Sequence, residues 1–101
     1  MSERIRVEAG FHLRRIQQGE ALSLPLSRSM PIVGANCHEL RLKDSERNIE
    51  WRIIYCIDSE VILVLEVFEK KTQETPEAVK RNCKDRLNRY LLAKKGEECH
   101  E

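Results

Sequence analysis

Between His38 and Asp58 the side chains change character with a period of two, and no other stretch constrains the fold as strongly. Glu39, Arg41 and Lys43 alternate with Leu40 and Leu42, which predicts a strand near residues 38–43 with a polar and an apolar face. Residues 44–49 turn the chain. A second strand, near 50–58, puts Trp51, Ile53, Tyr55 and Ile57 on one face and Arg52, Ile54, Cys56 and Asp58 on the other. Ser59-Glu60 then leads tightly into a third strand from Val61, near 61–69, apolar on both faces as a central strand is. Connections this short predict an antiparallel meander.

Helices flank the meander. Ala9, Leu13 and Ile16 recur at helical spacing, so a helix is expected near residues 4–18, stopped by Gly19. Thr75-Pro76 reads as an N-cap followed by proline at the first helical position. Val79, Cys83, Leu87, Tyr90 and Leu91 then form an apolar stripe, for a helix near 76–95 closed by Gly96. Residues 20–36 carry Pro25, Pro31 and Gly34 and read as a long connection. The expected class is α+β: helix, three-stranded antiparallel sheet, helix, in one domain over residues 1–101. Residues 97–101 read as a disordered acidic tail.

Charge narrows the function. The net charge is +1, which excludes the basic footprint of a protein that coats DNA. The total hides a basic segment: residues 76–96 hold 7 basic and 2 acidic side chains. No apolar run reaches the roughly 18 residues of a membrane span, and no secretory signal opens the chain, so a cytoplasmic protein without a membrane partner is expected. Of the four cysteines none forms a C-x-x-C pair. Cys37-His38 and Cys99-His100 repeat a dipeptide, but adjacent residues rarely point at one metal. No metal and no cofactor is expected. Cys56 and Cys83 read as small buried hydrophobes, and Trp51 and Tyr55 as core.

No phosphate-binding loop or nucleophile motif is present. What stands out is cationic side chains at strand positions and strand ends: Arg41, Lys43, Arg52, Lys70 and Lys71, with Thr72 behind them. Such groups need water or an anion, and a phosphodiester suits them: arginine binds it bidentately, lysine as a point charge.

Leu13-Arg14-Arg15-Ile16-Gln17-Gln18-Gly19-Glu20, Ser27-Arg28-Ser29-Met30-Pro31, Cys37-His38-Glu39-Leu40-Arg41, Trp51-Arg52-Ile53-Ile54-Tyr55 and Val67-Phe68-Glu69-Lys70-Lys71-Thr72 follow one another in this order, ahead of Thr75-Pro76 and Arg86-Leu87. Over residues 8–92 the chain resembles the phage-derived HigB-like branch of the RelE/ParE toxin superfamily, the toxins of type II toxin–antitoxin systems. The resemblance implies a RelE-like fold and a metal-independent endoribonuclease, an mRNA interferase acting on mRNA in the ribosome. It implies a helix-turn-helix antitoxin as partner. Residue by residue it implies catalytic roles for Arg41, Arg52 and Lys71, and RNA-binding roles for Lys43, Lys70 and Thr72. Relatives carry a tyrosine or histidine near the C-terminal segment as acid or base, where this chain has Gln73-Glu74-Thr75-Pro76. Glu39, Glu74 and His38 are the remaining candidates for the base. A catalytically inactive module of the same fold, contacting protein or nucleic acid, is the alternative. The family's first strand has no counterpart before the first helix. The expected consequence is a bare sheet edge, covered by self-association into a homo-oligomer or by the antitoxin.

Overall fold

In the computed structural model, which describes residues 1–98, each alternating stretch forms a strand and the two helical stretches form helices. The order is α1 (Glu3–Gln17), β1 (Ser27–Ser29), β2 (Cys37–Asp44), β3 (Ile49–Asp58), β4 (Val61–Glu69) and α2 (Glu77–Glu98). The sheet has four antiparallel strands in the order β1-β2-β3-β4. Three were expected. The fourth, β1, lies inside the stretch read as a connection and pairs Arg28 with Glu39 and Ser29 with His38. Three residues reading Ser-Arg-Ser carry no apolar alternation, so only the pairing reveals them. β1 lies along one side of β2. The free edges of the sheet are β1 and β4.

α1 is capped at Ser2, whose side chain accepts from the Ile5 amide at 3.3 Å. Gly19 follows it at φ +95°, a left-handed conformation that glycine adopts without a Cβ penalty. Ile5, Ala9 and Ile16 pack on Leu40, Leu42, Ile53 and Tyr55. α2 buries Cys83 and Leu87 against Cys37, Ile54, Cys56 and Leu65. Side chains alternate across a strand, so the two clusters lie on opposite faces, one helix on each. Leu91 was expected in the α2 stripe but stays 46% exposed. α2 also continues through Gly96 to Glu98, past its expected stop and into the expected tail. Residues 99–101, including the Cys99-His100 pair, lie outside the described residues.

Between Ile54 and Tyr55 the pairing with β4 slips, and Leu65 is the extra residue of a bulge. A bulge leaves its extra residue outside the ladder. The Arg86 guanidinium donates to the Leu65 carbonyl, and pairs with Glu66 at 3.2 Å. Gly34 lets the β1–β2 loop approach α2: a Cβ there would stand 2.8 Å from Leu87 Cδ2. Burial pushes the Cys37 thiol up to about 12 and that of Cys83 to about 11, so both act as apolar packing groups. No helix among the described residues is long and apolar enough to cross a membrane.

Candidate phosphate-binding groove

The pleat places Glu39, Arg41 and Lys43 of β2 on the α2 face, and the register sets Arg41 directly opposite Arg52 and Lys43 opposite Glu50. Like charges directly opposite destabilise a strand pair. Here two guanidinium groups occupy such positions, and Arg52 is only 4% exposed. Its Nη1 donates to the Trp51 carbonyl at 3.0 Å. Its Nε lies 3.8 Å from Glu39 Oε1 and its Nη2 3.8 Å from Glu50 Oε1, and the buried Nε has no hydrogen-bond partner. Burial lowers the Arg52 pKa, with Arg41 next and Arg28 adding to it, against Glu39 and Glu50. An arginine stays protonated through such a shift, so a positive charge sits at the floor of the site.

Arg41, Arg52, Lys70, Lys71, Thr72, Gln73 and Glu50 line one cavity of about 460 Å³. Lys43 lines the adjoining concavities, one shared with Lys70 and Lys71, the other with Arg41 and Arg52. Lys70 is half-buried, and its backbone amide donates to the Glu50 carbonyl at 2.7 Å, which fastens the end of β4 to the start of β3. Burial lowers the Lys70 pKa; Glu39 opposes this, and Arg52, Arg28 and Arg41 add to it. Lys71 is 81% exposed at the rim, 3.9 Å from Glu69. Thr72 donates to the Glu74 carbonyl at 2.7 Å and shapes the loop.

The residues named from the sequence as bases lie elsewhere. Glu39 is fully buried beneath the groove, 3.2 Å from Arg28, and accepts from the Thr75 hydroxyl at 3.0 Å. Thr75, expected as a cap, thus spends its hydroxyl hydrogen on Glu39. His38 faces α1 and stacks on Tyr55 with ring centroids 5.3 Å apart; burial lowers its pKa. Glu74 lines a neighbouring concavity with Arg28 and Gln73. Sequence reasoning missed Glu50, the one carboxylate lining the cavity. Its signal was available: it precedes Arg52 by two residues and so shares its face. Arg28 and Gln73 carried no such signal, since a three-residue strand and a loop bring them in. Among the described residues no three His, Cys, Asp or Glu side chains group as metal ligands.

Fold and groove together define a small α+β domain with a cation-lined groove between adjacent strands. The family model for phage-derived protein Gp49-like (DUF891) matches residues 1–88, and the chain belongs to that family. No curated protein and no solved structure matches the chain.

Proposed function

We propose that this chain is the toxin of a type II toxin–antitoxin pair and cleaves mRNA in the ribosome without a metal. The observation that carries the reading is the cross-strand pair Arg41–Arg52, facing one cavity with Lys70 and Lys71. In this reading Arg52 and Arg41 hold the non-bridging oxygens of the scissile phosphate. The ribose 2′-OH attacks phosphorus and the bond to the 5′ oxygen breaks, leaving a 2′,3′-cyclic phosphate; DNA lacks that nucleophile. The phosphorane carries more charge than the diester, so fixed cations favour the transition state. Glu50, 3.8 Å from Arg52 Nη2, takes the 2′-OH proton. Lys70, its pKa lowered chiefly by burial, returns one to the 5′ oxygen. Lys43 holds a flanking phosphate, and so does Lys71, expected as catalytic but 81% exposed at the rim. A helix-turn-helix antitoxin is the partner that keeps the groove closed.

A second reading, a module that binds RNA or protein through the groove without cutting, draws on the burial of Glu39 and the placement of His38 and Glu74 outside the cavity. Induced expression in a bacterial host, with primer extension to map mRNA ends, separates the two. Cleavage at codon-sized intervals, reproduced with purified ribosomes and the purified chain, supports the nuclease. RNA binding without new ends supports the module.

A further inference from the structure

Beside the phosphate groove lies a concavity of about 350 Å³, whose lining includes Arg28, Ile32, Gln73, Glu74, Thr75 and Lys80. Gln73 also lines the groove, so the two spaces adjoin. Their chemistry differs. The groove gathers cations, whereas here Arg28 and Lys80 are offset by Glu74, and Lys80 is tied to Glu77 at 3.1 Å. Ile32 is 55% exposed, an apolar surface that the packing of the fold does not use. The Arg28 guanidinium is held at 3.2 Å by Glu39 Oε1, and its side chain remains 43% exposed. The same Oε1 lies 3.8 Å from Arg52 Nε. One buried carboxylate thus sets the spacing between the two sites.

We propose that this concavity is a nucleobase subsite, reading the base next to the phosphate held by Arg41 and Arg52. The proposal rests on the RNA reading of the groove. A base is uncharged, with flat apolar faces and a hydrogen-bonding edge. Ile32 and the Arg28 plane suit the faces; the Gln73 amide and the Glu74 carboxylate suit the edge. A phosphate would gain little here, because Glu74 repels it.

The test compares the wild-type chain with Ile32→Ser, Glu74→Ala and Glu74→Gln, the last keeping the size of the side chain. Both positions are exposed, so thermal melts should match the wild type. mRNA ends are mapped after induced expression. Binding is measured in parallel to 2′-O-methyl RNA oligonucleotides that differ by one base. The wild type should discriminate between bases at one position by at least about fivefold, the lower end for a hydrogen-bonded base contact. The variants should flatten that preference to within about twofold while growth arrest and total binding persist. Unchanged preference in all three variants, or RNA binding with no preference at any position, overturns the subsite and leaves the groove standing. A wild type that neither binds nor cuts RNA overturns both.

Discussion

The sheet face under α2 is divided into two halves, and the same strands supply both. On one half Cys37, Ile54, Cys56 and Leu65 pack on Cys83 and Leu87 of α2. On the other, Glu39, Arg41 and Arg52 stand in the very next same-face positions of the same two strands. Burial alone does not separate them: Ile54 and Glu39 are each fully buried, and they are register partners. The difference lies in what covers each half. Where α2 lies, apolar contact suffices. Beyond it, the loop ahead of α2 and the strand β1 bring Thr75 and Arg28 onto Glu39, because a buried carboxylate persists only when paired and hydrogen-bonded. Arg52 is held less tightly: its Nη1 donates to the Trp51 carbonyl, while Glu39 and Glu50 stand 3.8 Å away.

The contrast can be broken from either side. The largest loss of stability belongs to the apolar half: Ile54→Ala should cost about 2–5 kcal/mol by cavity formation, read from chemical denaturation. Specific cleavage by the fraction still folded should be unchanged. On the charged half, Arg52→Ala should lower the cleavage rate by about 10²–10³-fold while circular dichroism stays native. Growth arrest that survives this change undiminished would remove the nuclease reading.

Glu39→Gln probes the boundary between the halves. It keeps the shape but withdraws the charge shared by Arg28 and Arg52, and should cost about 1–3 kcal/mol of stability. Cleavage should fall with it, because Arg52 loses the group that orients it. Lys43→Ala, at the rim, should weaken RNA binding alike for all sequences and reduce the salt slope by about one phosphate contact. A change in base preference would put Lys43 on a base instead.

The smallest effect concerns how α2 is held over the apolar half. Asp58, at the end of β3, accepts from the Tyr90 hydroxyl at 2.7 Å and from Lys94 Nζ at 2.9 Å. Tyr90 first, then Lys94, holds the Asp58 carboxyl below the usual carboxylate range. The stability this contributes is complete above the ordinary carboxylate pKa and is lost as pH falls through the lowered folded value. Asp58→Asn should therefore flatten the acid side of the Tm-versus-pH curve. An unchanged curve would show that the clasp contributes nothing.

What the sequence determined by itself is local. The period of two in residues 38–58, the apolar run that follows and the helical spacing in α1 and α2 set these elements to within a few residues, since such patterns are properties of neighbouring residues. The same alternation put Arg41 and Lys43 on the polar face of their strand and Arg52 opposite Trp51 and Ile53 on its own. What only the tertiary structure decided depends on register and on which element covers which surface. The register placed Arg41 against Arg52. The pairing of β1 recruited Arg28 and turned Glu39 from a solvent-facing strand residue into a buried anchor. The packing of α2 over one half of the sheet left the other half open as a groove. These outcomes join residues far apart in the chain, and no period in the sequence encodes such a meeting.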